Sequence, residues 1–500
     1  MKTYDSIVVG GGASGLTAAL ILAMNGHKVL LLEKHHSIGG ALSRFYRKGI
    51  PFDTGFHFTG GLQAGGLLCD ILSVLGMREF IEPVFLAEDY ANRVYFELEG
   101  RFFEIPYGIP RMRKKFGAYF PEEAAGIDRY FERVKHVCQQ TPSMDIRNLS
   151  VKQGFLKEDL VTLQEVLDGI ISNNALKALI SGFAMCYGVK PDEVSFATHS
   201  RICAGLYESV ARVKDGGDAF IKAFKTRFSN LDIEISCSTY IAELADIRER
   251  RVGRFILNTG EEISASNCVF TIHPKEILKI LPEACLTKAF RQRVSSFESS
   301  AGFFAVFASL DQGFEEKNFD TSIVSIFPHD DVNRMLDPAC AEPSALVLVK
   351  TTEQRGPREF KSITTFEPSF FSEVDAWNDS KTGVRPQEYK DYKQKKTEEI
   401  IERIVRVFPE YKSHLKVFDS ASVLTFRDYL SNYDGAAYGV KQKAAQFNLF
   451  GRLPLKNLYA AGQSSLLPGI IGAMMSSFMV ARAIVEEDRY CEFISRGSGN

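Results

Sequence analysis

The sequence lacks an excess of either charge. Its 500 residues include 60 Lys and Arg against 62 Asp and Glu, a formal net charge of -2. Nucleic-acid-binding proteins usually carry a basic patch or stripe, so this balance gives no reason to expect a nucleic-acid partner. The composition, 45% hydrophobic and 24% charged, is that of a globular protein. Because the chain is longer than a single hydrophobic core usually supports, we expect two structural units.

Paired cysteines and long apolar runs are also missing. The nine cysteines form no Cys-x-x-Cys pair and are odd in number, which favours reduced thiols in a cytoplasmic protein over a zinc site or a disulfide framework. We therefore expect no metal. The N-terminus has no signal-peptide pattern, and no run reaches about 18 apolar residues, so no membrane-spanning helix is expected. A single Trp beside 39 Phe favours a roomy apolar cavity.

The N-terminus reads as a strand, a glycine-rich turn, a helix and a second strand. Residues 6–9 predict a buried strand, residues 16–25 an Ala-rich helix and residues 28–32 the next strand. Between strand and helix lies Gly-Gly-Gly-Ala-Ser-Gly, residues 10–15. Glu33 follows 23 positions after Gly10. A Gly-x-Gly-x-x-Gly motif in this context is typical of a dinucleotide-binding unit.

Each of the three glycines that define this motif has a physical role. Gly10 permits the tight turn, Gly12 lets the backbone approach a pyrophosphate, and Gly15 lets the helix pack on the strand. The pyrophosphate would lie at the helix N-terminus, and Glu33 would accept hydrogen bonds from a ribose. A purely structural glycine-rich turn is the alternative interpretation.

The middle of the chain predicts helices followed by an antiparallel sheet. Residues 66–205 read as mainly helical, with amphipathic helices over 121–138 and 159–180. Apolar and small or polar residues then alternate in four runs, which suits a sheet with one covered face. These runs are Ser300–Leu310, Ser322–Phe327, Ala345–Lys350 and Ser362–Phe366.

The C-terminus predicts a second strand–glycine–helix unit. Residues 457–463 form a strand that ends in Gly462, and residues 468–473 open a long apolar helix. This unit returns the chain to its first domain. We therefore predict an α/β fold in which a Rossmann-like dinucleotide domain is discontinuous, comprising residues 1–65, 206–275 and 415–495. Residues 66–205 and 276–414 would form an α+β substrate domain built on an antiparallel sheet.

No second Gly-x-Gly-x-x-Gly unit lies between a strand and a helix in this sequence. Residues 60–66 are glycine-rich, but no strand and acid follow at the required distance. A dedicated NAD(P)H domain is therefore not expected. Reducing equivalents would come from an unknown electron donor, either a partner or a transiently bound molecule.

Both ends of the chain resemble the phytoene desaturase, carotenoid isomerase and retinol saturase family of amine-oxidase-like flavoproteins. Residues 33–61 resemble the second half of that family's FAD fingerprint, and residues 52–57, Phe-Asp-Thr-Gly-Phe-His, look most like its retinol saturase branch. Residues 458–463 and 468–473 are similar to the flavin-contacting segment. Ala41 departs from the Arg that many desaturases and amine oxidases carry, which disfavours an amine oxidase.

The resemblance implies a glutathione-reductase-type FAD-binding domain and a set of FAD-binding positions. In this sequence they are Gly10, Gly12, Ala13, Ser14, Gly15, Glu33, Lys34, Gly39, Gly40, Ala41, Leu42, Gly55, Phe56, His57, Ile241, Gly462, Gln463, Gly469, Ile470 and Ile471. The helix that begins near Gly469 would direct backbone N–H groups toward the negative charge of reduced flavin.

The resemblance also implies an FAD-dependent oxidoreductase that acts on carbon–carbon double bonds of an apolar polyene or isoprenoid such as a carotenoid or retinoid. Saturation by hydride transfer from reduced flavin is the main hypothesis. A redox-neutral cis–trans isomerase, a desaturase and a non-catalytic FAD-bound module are the alternatives.

Two side chains are candidate catalytic groups. His57 follows the turn at Gly55 and could relay a proton, or it could pack or orient the cofactor. Tyr438 precedes the flavin segment and could face substrate, or be a buried tyrosine with a satisfied hydroxyl.

Residues 101–120 combine aromatic and basic side chains. Such a segment suits an anionic membrane surface, so the protein is expected in the cytoplasm, either free or peripheral on a membrane. A partly buried hairpin with a solvated charge run is the alternative.

Overall fold

The computed structural model of the protein describes residues 1–147, 154–311, 313–316, 323–355 and 357–497. The strands are β1 (Lys2–Val9), β2 (Val29–Glu33), β3 (Arg44–Arg47), β4 (Ile50–Asp53), β5 (Pro83–Phe85), β6 (Asn92–Phe96), β7 (Arg101–Ile105), β8 (Ala211–Val213), β9 (Ile233–Cys237), β10 (Ile241–Arg248), β11 (Arg251–Leu257), β12 (Glu262–Phe270), β13 (Gly302–Leu310), β14 (Ile323–Phe327), β15 (Leu346–Arg355), β16 (Arg358–Ser369), β17 (Leu415–Ala421), β18 (Gly451–Arg452) and β19 (Leu458–Ala460).

The α-helices alternate with these strands in the N-terminal part and cluster between 109 and 228. They are α1 (Ala13–Met24), α2 (Leu67–Val74), α3 (Ile109–Tyr119), α4 (Ala124–Gln139), α5 (Leu163–Asp168), α6 (Asn174–Ser181), α7 (Phe196–Glu208), α8 (Gly216–Phe228), α9 (Pro274–Ile280), α10 (Lys288–Ser295), α11 (Val332–Met335), α12 (Gln387–Val407), α13 (Val423–Leu430), α14 (Gly469–Arg482) and α15 (Glu487–Gly497).

The first sheet is built on a parallel core. Its order is β10-β11-β12-β1-β2-β9, and β19 pairs with β12 in parallel and carries β18. Strands β12, β1, β2 and β9 run parallel to one another, which requires crossover connections such as α1. Buried apolar side chains fill β1 and β2, as expected for strands covered on both faces.

Helices α1 and α14 pack against each other on this sheet, although they lie at opposite ends of the chain. Small polar residues line the contact: Ser477 Oγ lies 2.8 Å from both Ser14 Oγ and the Ser14 carbonyl oxygen. Small side chains let the two backbones approach closely. Helix α14 and strand β19 thus lie against the same sheet and helix as the N-terminal unit.

The second sheet has the order β17-β13-β16-β15-β14-β6-β7 and is antiparallel except for the β14–β6 pair. On one face Phe304, Val306 and Leu348 pack with Ile400 and Ile404 of α12. Side chains of the alternate positions line a cavity on the other face. The predicted α/β fold with a second, mainly antiparallel sheet is confirmed. Ser322, the first residue of the predicted strand over 322–327, lies outside the described residues.

One expectation about the helical region is wrong, and a short stretch of strands interrupts the otherwise mainly helical residues 66–205. The single helix over 159–180 is interrupted: α5 ends before Gly169, and α6 starts anew with the Asn173 side chain accepting from Leu176 N–H. The buried apolar residues of both helices belong to one cluster. Residues 83–105 contain β5, β6 and β7 instead of helix, with Gly100 in the left-handed region at φ 61° at the hairpin turn.

The domain boundaries stay a prediction. The first sheet draws its strands from 2–33, 233–270 and 451–460, and the second sheet from 92–105, 302–369 and 415–421. Strand β17 thus pairs in the second sheet, although the predicted dinucleotide domain resumes at 415. Helix α2, in the predicted substrate domain, packs in the same core as α1.

Candidate functional site: a cofactor cradle joined to an apolar chamber

The glycines of the first turn have the geometry that the motif requires. Gly10 has φ 104°, a left-handed conformation. A Cβ on Gly15 would lie 1.7 Å from the Gly10 carbonyl oxygen, so only glycine lets α1 approach the turn. A Cβ on Gly12 would meet no protein atom within 4 Å. The space at Gly12 is therefore open toward a ligand at the N-terminus of α1.

Glu33 is held at the end of β2 by backbone donors. Its Oε2 accepts from Gly11 N–H at 2.6 Å and its Oε1 accepts from His35 N–H at 2.7 Å. These bonds hold the carboxylate beside the glycine turn. A carboxylate oxygen can accept more than one hydrogen bond, so Glu33 can still bind ribose hydroxyls.

The C-terminal unit completes the cradle from the opposite side. Gly462 has φ 110°, and its N–H donates to Ser476 Oγ at 2.7 Å. Helix α14 begins at Gly469, and its first-turn N–H groups are free of capping side chains. A Cβ on Gly472 would lie 2.1 Å from the Leu467 carbonyl oxygen, so the helix start is as tightly packed as that of α1. Two helix N-termini thus face one space.

That space is part of one continuous cavity of about 1990 Å³. Pockets for a single small ligand are usually about 300–1,000 Å³, so this cavity has room for a cofactor and a further molecule. One part of its wall beyond the cradle is apolar. The wall residues there include Leu179, Phe183, Met185, Cys186, Leu206, Val210, Phe303, Phe307, Phe327, Val347, Val349 and Phe366.

Most residues of the predicted site line this cavity. They are Gly10, Gly12, Ala13, Ser14, Glu33, Lys34, Gly40, Ala41, Leu42, Gly55, Phe56, His57, Ile241, Tyr438, Gly462, Gln463, Gly469 and Ile470. Gly15, Gly39 and Ile471 are not among the lining residues. Gly39 has φ 127° in a turn, and Ile471 packs near Gly61 and Gly205, so both support the wall from behind. The roles of all these residues in binding stay predictions.

His57 presents one unused nitrogen. Its ring makes a hydrogen bond to the Thr54 backbone, whereas Nε2 is buried without a hydrogen-bond partner. Burial and the charge of Arg44 lower the pKa of His57 to about 4. The ring is therefore neutral at physiological pH, which disfavours His57 as a general acid.

Tyr438 has a partner for its hydroxyl. The hydroxyl donates to the Met185 carbonyl oxygen at 3.3 Å, and burial raises the pKa of Tyr438. Its ring packs edge-on to Phe303 at 6.1 Å. This arrangement fits a buried wall tyrosine; its catalytic role stays a prediction.

A buried charge cluster beside His57 was missed. Arg44, which lines the cavity, is 1% exposed and pairs with Asp53 at 3.0 Å and with Glu353. Burial raises the pKa of Asp53 to about 6, although the charge of Arg44 opposes this shift. Arg44 and Asp53 face each other across the β3–β4 hairpin, a pairing that the hairpin pattern could have suggested. Glu353 comes from β15, and no local signal connects it to them.

His273 was also missed. It lines the cavity and stacks on Tyr433 with ring centroids 4.9 Å apart. Its Nδ1 accepts from Lys275 N–H at 3.2 Å, and Nε2 is buried without a hydrogen-bond partner. Burial and two lysines lower the pKa of His273 to about 3. In the neutral ring Nε2 carries the proton, so His273 offers a donor to the cavity.

The segment 101–120 is more buried than a membrane-facing surface requires. Phe103, Phe116 and Phe120 belong to an interior cluster. The cations have acidic partners: Arg111 pairs with Glu88, Arg113 with Glu132 and Lys115 with Glu104. Membrane contact by this segment therefore stays a prediction without support from these contacts.

Membrane-spanning helices, metal-binding clusters and the cysteines were each considered along the part of the chain that the structure describes. Among the described residues no helix is long and apolar enough to cross a membrane. Within the same ranges, no cluster of three or more His, Cys, Asp or Glu side chains could hold a metal ion. All nine cysteines are free thiols.

Comparison with known proteins shows which families and structures the chain is similar to. A model of the NAD(P)-binding Rossmann-like domain matches residues 8–66. The chain is similar to all-trans-retinol 13,14-reductase of Danio rerio, 25% identical over 99% of this chain and 88% of the relative. It is also similar to the chloroplastic prolycopene isomerase of Daucus carota, 22% identical over 97% of this chain and 80% of the relative.

Among solved structures, a putrescine oxidase variant superposes with a TM-score of 0.65 at 14% identity, covering 98% of this chain and 99% of the other. The chain therefore shares the fold of that oxidase. The relatives matched along nearly the whole chain confirm the resemblance to the phytoene desaturase, carotenoid isomerase and retinol saturase family and to its retinol saturase-like branch. The expectation of an enzyme of the oxidoreductase class is confirmed with it.

Proposed function

We propose that the protein is an FAD-dependent oxidoreductase that reduces a carbon–carbon double bond of an apolar polyene. The observation that carries the proposal is the continuity of the cavity. One end of it is a dinucleotide cradle and the other end is an apolar chamber formed by the second sheet and the helices around 179–210. A polyene in that chamber would lie against a cofactor in the cradle.

The residues present fit FAD. Gly12 leaves open space where a pyrophosphate would approach, and Glu33 is oriented toward the same turn. The N-terminus of α14 would stabilise negative charge on the ring system. When bound, FAD supplies the hydride or accepts it. The chain supplies position and a dry environment, which set how often a double bond meets the reactive atom correctly.

The wall of the chamber fits an elongated apolar substrate. Phe303, Phe307 and Phe366 project from the second sheet into the cavity, while Phe304 and Val306 at alternate positions pack beneath α12. Large apolar side chains that line a cavity exclude water and bind hydrocarbon by removing apolar surface from water. Relatives named for retinol and for prolycopene, which are both polyenes, support this substrate class.

The decisive experiment is anaerobic single-turnover oxidation of the chemically reduced holoenzyme by a panel of polyenes, followed by flavin absorbance. We expect reoxidation with at least one retinoid or carotenoid, and a product with one double bond fewer. Reduced flavin that stays reduced with every polyene would contradict the saturase proposal. Because the electron donor is unidentified, chemical reduction removes it from the test.

Isomerisation is the second candidate, favoured by the likeness to a prolycopene isomerase along nearly the whole chain. An isomerase would change the cis–trans composition of a polyene without any net change in flavin redox state. Chromatography of isomers after incubation with the holoenzyme would detect this. Desaturation would instead reduce oxidised flavin, and a non-catalytic module would change neither polyene nor flavin.

Contact with a membrane surface is part of the proposal, because polyenes partition into bilayers. Flotation with anionic liposomes at low salt should carry the protein upward. Joint neutralisation of Arg111, Arg113, Lys114 and Lys115 should weaken binding by about 1 kcal/mol per charge if segment 101–120 is the contact. If that variant floats as well as the wild type, the membrane contact lies outside segment 101–120. If the wild type does not float, the proposal of membrane contact is wrong.

A further inference from the structure

The chamber contains a polar atom that nothing in the protein satisfies. His57 lines the cavity, and its Nε2 is buried without a hydrogen-bond partner. Its ring contacts Phe366 at 4.6 Å between centroids, and Phe366 in turn contacts Phe303 at 5.6 Å. A buried polar atom without a partner is costly and requires an explanation. Its aromatic neighbours offer no hydrogen bond of ordinary strength.

The hydrogen bond at the other ring nitrogen determines what Nε2 can do. Because Nε2 has no partner, the bond to the Thr54 backbone is made by Nδ1, and it favours a protonated nitrogen. Nδ1–H therefore donates to the Thr54 carbonyl oxygen. A neutral imidazole carries one proton, so Nε2 has a lone pair and acts as an acceptor. His273 has the opposite arrangement, since its Nδ1 accepts from Lys275 N–H.

We propose that His57 Nε2 accepts a hydrogen bond from the hydroxyl of a polyene alcohol and thereby selects alcohols over hydrocarbons of the same length. This inference rests on the proposed polyene-binding function and names the polar end of the substrate. A hydroxyl supplies the missing donor without adding a charge between Phe366 and Arg44. A hydrocarbon in the same place would leave Nε2 unpaired.

Two other occupants of this position are a trapped water and the cofactor. A trapped water usually needs two to four polar partners, and Arg44, whose charge lowers the pKa of His57, could be one of them. The cofactor could also donate to Nε2, because His57 lines the same cavity as the cradle. The experiment separates these occupants.

The test measures equilibrium binding and needs no turnover. All-trans-retinol and its matched hydrocarbon, in which CH₃ replaces CH₂OH, are titrated into the holoenzyme with oxidised flavin, and absorbance verifies that the flavin stays oxidised. The ratio of the two dissociation constants is compared between wild type and His57→Phe. We expect the preference for the alcohol to fall roughly 3- to 10-fold in the variant, the range of one hydrogen bond, with hydrocarbon affinity unchanged.

Two variants make the result specific to the acceptor. His57→Gln retains a side-chain acceptor and should keep part of the preference. Tyr438→Phe removes another polar group of the same wall, but its hydroxyl already donates to the Met185 carbonyl oxygen, so the preference should persist. Flavin content and the flavin dissociation constant of each variant establish that the cradle is intact.

The outcomes separate this inference from the proposed function. Equal preference in wild type and His57→Phe, or no preference in wild type, overturns the role of His57 while polyene binding stands. Loss of flavin affinity in His57→Phe with an unchanged preference assigns Nε2 to the cofactor and also overturns it. If neither polyene binds the wild type, this inference and the polyene proposal fail together.

Discussion

Gly12 and Gly15 lie three residues apart, yet the structure requires glycine at them for different reasons. A Cβ at Gly15 collides with the Gly10 carbonyl oxygen, whereas a Cβ at Gly12 meets only open space. Gly12→Ala should therefore fold normally and bind FAD weakly, because its methyl group enters the cofactor space. Gly15→Ala should lower the melting temperature even of the flavin-free protein.

The two variants control each other. Thermal melts of flavin-free protein report the fold, and fluorescence titration with FAD reports the cradle. A Gly12→Ala variant that binds FAD as tightly as wild type would show that the cofactor does not approach this turn. A Gly15→Ala variant with wild-type stability would mean that α1 can shift away from β1.

Asp53 makes stability depend on pH. Burial raises its folded-state pKa from 3.8 to about 6, so between these values the folded state holds a proton that the unfolded state has lost. Stability therefore falls as pH rises through this window. A pKa shift of about two units corresponds to about 3 kcal/mol in the free energy of unfolding. Asp53→Asn should gain roughly this much relative to wild type between pH 3.5 and pH 7, measured by denaturant titration at both pH values; a difference independent of pH would contradict the shift.

At the scale of elements, a buried histidine joins helices α4 and α7. His199 Nε2 lies 2.7 Å from the Tyr130 hydroxyl and Nδ1 lies 2.8 Å from the Tyr187 hydroxyl. All three side chains are buried, and burial lowers the pKa of His199 to about 3. His199 is not among the cavity-lining residues. Its hydrogen bonds therefore serve the packing of the helices that close the chamber.

His199→Leu should destabilise the protein, because the Tyr187 hydroxyl loses its partner, whereas the Tyr130 hydroxyl keeps its hydrogen bond with Tyr207. A buried group left unsatisfied costs about 1–3 kcal/mol, and we expect a loss of that size. His136→Leu, at an exposed position of α4, should stay within about 0.5 kcal/mol. Equal melting temperatures for the two variants would show that the Tyr187 hydroxyl finds another partner.

At the scale of the whole molecule, the cofactor should join both ends of the chain. The cradle combines residues 10–42 with 462–470, so FAD should stabilise the fold as a unit. The segment around Gly462 offers no Cys or His for a covalent link, and Gln463 follows it. Heat denaturation should release one equivalent of FAD, and excess FAD at 100 times its dissociation constant should add about 2.7 kcal/mol. Flavin retained in the precipitate, or FMN in its place, would contradict this.

The sequence by itself determined the dinucleotide unit and the return of the C-terminus. Both depend on local rules: Gly10, Gly12 and Gly15 define a turn between a strand and a helix, and Glu33 follows at the spacing that a βαβ unit requires. The same rules predicted the second strand–glycine–helix unit at 457–473, and the family resemblance predicts that this unit faces the flavin. Alternation in the runs that became β13 to β16 predicted the second sheet, since one face of a sheet must be covered.

Only the tertiary structure decided which residues distant in the sequence come into contact. The break between α5 and α6, the pairing of β17 with β13 and the meeting of Arg44 with Glu353 join residues without a shared local pattern. The chemical state of His57 also depends on the fold, because burial and the Thr54 carbonyl determine which nitrogen carries the proton. The family resemblance predicts that His57 lies near a flavin, but whether this histidine donates or accepts a hydrogen bond is decided by the groups that folding packs around it.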